Sequence, residues 1–151
     1  PGANLIANIG SSTMWFNNIY GVASHALYAD LAEKYESDAD YPPGTVVSFG
    51  STTEVTISNR ENDARVAGVV STDPAYLMNA KSDDSSYVAI ALTGRVPCKV
   101  TGTVRKGDMM VSAGNGFARA ESKPVLGSVI GKALENFDGV EGVIEIVVGR
   151  L

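Results

Sequence analysis

From Thr45 onward the chain is a succession of short Val- and Ile-rich runs cut by turn residues, and that punctuation excludes most folds. The runs are "TVVSF", "TEVTIS", "RVAGVVS", "YVAIALTG", "VPCKVTG", "DMMVSAG", "GSVIGKALE" and "GVIEIVVGRL". β-Branched side chains suit a pleated, half-buried surface, and the intervening Gly, Asn, Asp and Pro interrupt any helix before it gains length. Strands this short, at such regular spacing, predict a mainly β fold: a compact barrel- or sandwich-like domain over residues 45–151. Within it, "VTGTVRKGDMMVSAGNGFARA" reads as a chain of hairpins. Gly107-Asp108 and Asn115-Gly116 supply the turns, and Asn-Gly suits the left-handed positions of a two-residue hairpin loop. "VAGVVST" and "LGSVIGKA" echo each other too faintly to be a repeat.

The first 44 residues differ in character. Residues 1–22, "PGANLIANIGSSTMWFNNIYGV", contain no Asp, Glu, Lys or Arg, and combine turn formers with Trp15, Phe16, Ile19 and Tyr20. Such a stretch cannot bury its own aromatics. It is expected to be an extended N-terminal arm, packed on the body of the chain or on a neighbouring copy. Pro1 is an unusual first residue, expected of a sequence that begins inside a longer polypeptide. Residues 23–37 read as one short helix, with Ser24 as N-cap and Leu27, Leu31, Ala32 and Tyr35 at helical spacing. Tyr41-Pro42-Pro43-Gly44 is a turn. The expected organisation is an arm over 1–22, a helix and acidic connector over 23–44, and the β domain over 45–151.

Composition narrows the function. At 151 residues and 44% apolar content, one domain with a proper core is expected. Cys98 is the only cysteine, so no intrachain disulfide or cysteine metal cluster can form. It alternates with Val96 and Val100, as a buried small hydrophobe would. His25 is the only histidine, so a catalytic triad or a two-His metal site would have to be built around it; a packing or surface residue is expected instead. No run of about 18 apolar residues is present, which predicts a soluble chain without membrane insertion. A net charge of −5 with 12 scattered basic residues gives no footprint for nucleic acid. Lys106 is glycine-flanked but lacks the phosphate-loop spacing, so Lys106-Gly107-Asp108 is a turn between strands. No cofactor and no metal is expected.

Potential chemistry concentrates in "YADLAEKYESDADYPPG", residues 28–44, which holds Asp30, Glu33, Glu36, Asp38 and Asp40. Glu36, Asp38 and Asp40 alternate as in the start of a calcium loop, but Pro42-Pro43 replaces the remainder of that pattern, and a solvated hinge is expected. On a helix, Asp30 and Glu33 would share a face. Two carboxyl groups held together can split into one acid and one base. Two readings of this pair stay open: a wet helix face, or a working acid–base pair.

Some phrases resemble known proteins. "IGSSTMWFNNIYGVAS" resembles a short module near the C-termini of tail fibres and other receptor-binding appendages of tailed bacteriophages. The body resembles fibre-like structural proteins of marine T-even-like phages. More distantly, "ADLAE", "VAGVVST", "LTGRVPCKV" and "KGDMMVSA" are similar to the self-cleaving intramolecular chaperone domain at the end of phage neck appendages, a glutamic-type peptidase. The resemblance implies a C-terminal structural, trimerising module of a virion appendage, made in the host cytoplasm. Its partners would be itself as a homotrimer, other appendage proteins and a host-surface receptor. Trp15, Phe16, Ile19 and Tyr20 would lie between copies. In the self-cleaving relatives an A-D-Y-A-E motif supplies an Asp and a Glu to the cleavage. Here Asp30 and Glu33 match, with Leu31 in place of Tyr, which makes a single-turnover autoproteolytic chaperone the alternative. A second alternative is a receptor- or glycan-binding tip using Tyr76, Tyr87 and Phe117.

Overall fold

Ten strands, joined by turns, make up the regular structure of the described residues, and no helix occurs among them. The computed structural model describes residues 9, 11, 13–18, 27–50, 52–80 and 86–149. In chain order the strands are β1 (Asp30–Glu36), β2 (Val46–Phe49), β3 (Val55–Ile57), β4 (Val66–Val70) and β5 (Tyr76–Met78). They continue with β6 (Tyr87–Val104), β7 (Met109–Gly114), β8 (Phe117–Ala120), β9 (Val129–Ala133) and β10 (Phe137–Val148).

The two runs "YVAIALTG" and "VPCKVTG" are one strand, the 18-residue β6, and it organises the rest. Its second half pairs antiparallel with β10, from Gly94↔Val148 to Val104↔Phe137, and meets β8 in parallel at Val100↔Ala118. The path β10-β9-β7-β8-β6 therefore closes on itself as a five-stranded barrel. The first half of β6 lies between β1 and β4, and β2 and β3 follow β4 outward. A parallel bridge between Ser37 and Val55 brings β3 back to the end of β1. Because side chains alternate along a strand, β2, β4 and β6 serve two cores at once. Val46, Val69 and Ala91 join Val96, Val100, Met110, Ile130 and Ile146 in the barrel interior. Val47, Val70 and Ile90 join Val55 and Val88 on the other side, with Tyr35 and Tyr41 at the margin. At about 25 cal/mol per Å² of buried apolar surface, the two clusters are the dominant stabilising term.

The helix expected over residues 23–37 is corrected where it can be compared: residues 30–36 are β1. Spacing favoured a helix, but β6 offers β1 an antiparallel ladder from Asp30↔Gly94 to Glu36↔Tyr87. That pairing satisfies the backbone and buries Ala32 completely, which an amphipathic helix with five nearby acids could not match. Ser24 and His25 lie outside the described residues. Gly94, at φ +110°, makes the pairing possible, since a Cβ there would collide with the Ala29 carbonyl. The Asn115-Gly116 hairpin is present, with both residues at positive φ (51° and 75°) between β7 and β8. Cys98 is fully buried in the barrel, and burial pushes its thiol up to about 12, so it stays protonated.

The loop between β3 and β4 is pinned by a buried carboxylate. Asp63 accepts from the Ser48 hydroxyl at 3.0 Å and the Arg65 amide at 3.0 Å, while its own amide donates to Ser112 Oγ at 2.9 Å. Burial pushes the Asp63 carboxyl up, but the Arg65 and Ser48 hydrogen bonds and the Arg65 charge outweigh it and hold the group below its ordinary range. A depressed carboxyl stabilises the fold above the unfolded value, near pH 4, and that contribution is lost as pH falls through the folded value. Asp63→Asn should cost roughly 1.5–3 kcal/mol near neutrality. Thermal melts from pH 7 to 3 should show the gap between parent and variant closing below about pH 4.

Candidate functional site

The start of β1 sits in a cleft with a volume of about 310 Å³, bordered by Leu27, Tyr28, Asp30, Ser71, Arg95 and Glu145. Backbone contacts set its floor. The Arg95 amide donates to the Ala29 carbonyl at 3.1 Å, and the Ala75 amide donates to the Asp30 carbonyl at 2.8 Å. Ser71 Oγ donates to Asp30 Oδ2 at 2.6 Å, and both residues are buried. A short bond from a neutral hydroxyl fixes the orientation of the carboxyl group. On the open side, Arg95 Nη1 and Glu145 Oε2 stand 3.9 Å apart, both well exposed.

Glu33 is not part of this cleft. A separation of three residues along a strand places side chains on opposite faces. Glu33 shares its face with Tyr35, whose hydroxyl donates to Glu33 Oε2 at 3.0 Å. Burial, then the hydrogen bond to Glu33 and the charges of Glu33 and Glu54, pushes the Tyr35 phenol above its ordinary value. Asp30 lies instead beside Ser71 on the other face. One copy of the chain therefore does not bring the two carboxyl groups to one bond, which the shared helical face would have done.

The rest of the acidic connector is tied down by β3. The Glu36 amide donates to Glu54 Oε2 at 2.7 Å. Asp38 accepts from the Tyr41 hydroxyl at 2.6 Å and from Thr56 Oγ1 at 2.8 Å. The Tyr41 bond, helped by Thr56 against opposing burial, holds the Asp38 carboxyl below its ordinary range. Among the described residues no group of three or more His, Cys, Asp or Glu side chains is arranged to hold a metal ion.

The aromatic candidates are spread out. Trp15 and Phe16 are 63% and 62% exposed, beside the exposed Met14; Ile19 and Tyr20 lie outside the described residues. Tyr76 is exposed on β5 opposite Leu31, and Tyr87 is half-buried opposite Glu36. Those partners are five steps apart along β1, roughly 17 Å at about 3.4 Å per residue. Phe117 is half-buried on β8, paired with Gly114. Ser71, Arg95 and Glu145 escaped the sequence reading because they lie in three stretches far apart along the chain. Only strand register brings them to Asp30.

Replacing Ser71 by Ala leaves the buried Asp30 carboxylate short of a donor. A hydrogen bond to a charged group is worth about 1.5–3 kcal/mol. The expected outcome is an unfolding free energy lowered by that amount, seen in equilibrium unfolding as a lower urea midpoint at unchanged slope.

No family model matches the chain, and no curated protein matches it in sequence. Solved structures do share its fold. The C-terminal fragment of bacteriophage phi29 gene product 12 is similar over 79% of this chain and 99% of the fragment, at 14% identity and a TM-score of 0.61. The pre-mature bacteriophage phi29 gene product 12 is similar over 88% of this chain, at 12% identity and a TM-score of 0.66. This chain spans 23% of the length of that pre-mature protein. The barrel with its flanking strands is thus a fold that this chain has in common with the C-terminal fragment of a bacteriophage gene product.

Proposed function

We propose that the chain is a C-terminal structural and trimerising module of a phage tail fibre or similar virion appendage. The observation that carries this reading is the fold shared with nearly the whole of a C-terminal fragment from a phage gene product. The exposed Met14-Trp15-Phe16 run supports it, since apolar groups left on a surface stabilise contact with another chain. A shaft built from non-local strand pairing folds slowly and offers open edges, so a compact end that registers the chains first has a physical use. Its partners are further copies of itself and neighbouring appendage proteins, and its place is the virion.

A second reading, single-turnover self-cleavage with Asp30 and Glu33, draws support from one feature: Asp30 lines the cleft that Leu27 and Tyr28 also line, on the upstream side of β1. Because Glu33 faces the other way, its participation requires a second copy. Binding of a receptor or glycan through Tyr76, Tyr87 and Phe117 would need three separate contacts rather than one platform.

Light scattering of the chain should give three times its 15.8 kDa mass, and a concentration-independent monomer would overturn the trimer. Trp15→Ala should weaken assembly, because truncating a large buried aromatic costs about 3–5 kcal/mol. For the second reading, the intact mass of an N-terminally extended chain is followed over days beside an Asp30→Asn, Glu33→Gln double variant. The structural reading expects no break in either. A time-dependent break upstream of Asp30 in the parent alone would establish cleavage.

A further inference from the structure

The tip of the β7–β8 hairpin holds a chemically reactive pair of residues in a setting that blocks their reaction. Asn115 is exposed, and Gly116, its successor, is buried. In an Asn-Gly pair the glycine amide nitrogen can attack the asparagine side-chain carbonyl carbon, because no Cβ on the glycine obstructs the approach. Here that nitrogen is engaged. The Gly116 amide donates to the Ser58 carbonyl at 3.0 Å, and the Gly116 carbonyl accepts from the Val46 amide at 2.8 Å. The seat is also tight: a Cβ at Gly116 would lie 2.8 Å from the Thr45 methyl and 3.1 Å from Ile57 Cδ1. Behind the tip, the hairpin is held by the Asn62 amide, which donates to the Ser112 carbonyl at 2.9 Å, and by the bridge between Glu61 and Ala113.

We infer that Asn115 is a modification site gated by the fold: it deamidates when the β7–β8 hairpin lifts off Val46 and Ser58, and is protected while the hairpin is seated. In the reaction the Gly116 nitrogen gives up its proton to solvent base and bonds to Asn115 Cγ. The Cγ–Nδ2 bond breaks, and the nitrogen leaves as ammonia. Water then opens the resulting five-membered imide. Breaking the new N–Cγ bond leaves aspartate; breaking the bond from that nitrogen to the Asn115 main-chain carbonyl carbon leaves isoaspartate. Ring closure needs the nitrogen free of its acceptor and a rotation about the Asn115 Cα–C bond. The left-handed turn, with φ of 51° and 75° at Asn115 and Gly116, and the bonds to Ser58 and Val46 prevent both. Reaction therefore proceeds through a local opening of the hairpin, not through the native seat. Isoaspartate runs the main chain through the side chain and lengthens it by a methylene, so the two-residue turn does not re-form in register. Asn115 thereby turns a transient opening between the barrel hairpin and β2 into a permanent change.

The test uses the full 151-residue chain, incubated at mildly alkaline pH in buffer and, in parallel, in guanidinium chloride. Peptide mapping by mass spectrometry follows conversion at Asn115. Asn115→Gly, which suits the same left-handed turn and has no side-chain amide, is the blank. Conversion in the folded parent should be at least tenfold slower than in guanidinium, because the native rate is scaled by the fraction of hairpins that are open. Thr45→Ser keeps the hydroxyl that bonds Pro42 and Lys99 and removes only the methyl seated against Gly116. It should speed conversion severalfold in buffer, with circular dichroism unchanged and the rate in guanidinium unaltered. Equal rates in the folded and unfolded parent, or no conversion in either, overturn the proposal. A Thr45→Ser rate in buffer equal to that of the parent overturns the seat at Thr45 and Ser58 as the gate.

Discussion

β6 is the constraint on which everything else rests. A single extended strand passes from one core to the other, and its backbone is paired along its length by β1 and β4, then by β8 and β10. Because successive side chains point to opposite faces, the same strand seals the barrel interior and backs the second cluster. Neither core is complete without it. A residue such as Gly94 matters for the same reason, since the strand keeps its pairing only where the Ala29 carbonyl can approach closely.

The site follows from that pairing. Once the segment 30–36 joins β6 as a strand, Asp30 and Glu33 separate onto opposite faces, and each acquires its own hydroxyl donor, Ser71 and Tyr35 respectively. A carboxylate held at 2.6 Å by a buried serine is an ordered structural group as well as a chemical one. The acidic crowding visible in the sequence is dispersed by the fold: Asp38 goes to Tyr41 and Thr56, Glu33 to Tyr35 and Asp30 to Ser71.

The surface tells a complementary story. The barrel itself is well filled, yet Trp15, Phe16, Leu27 and Val143 remain exposed. Leu27 lines the cleft where the chain enters β1, and there Arg95 and Glu145 form an exposed ion pair at 3.9 Å.

The sequence by itself determined the class of fold and most of its strands. Runs such as "RVAGVVS" and "DMMVSAG" alternate or cluster β-branched residues between turn formers, and Asn115-Gly116 specifies its hairpin locally, through backbone conformations open to few other pairs. The burial of Cys98 was legible too, from its place between Val96 and Val100. Only the tertiary structure decided what β1 would be. Leu31, Ala32 and Tyr35 fit a helical spacing as well as a strand, and the choice fell to a ladder offered by residues 87–94, more than 50 positions away. The fusion of two runs into β6, the Ser71–Asp30 contact and the Arg95–Glu145 pair are of the same kind. Each depends on register between distant strands, and register is set by the burial of whole faces, which no local stretch of residues encodes.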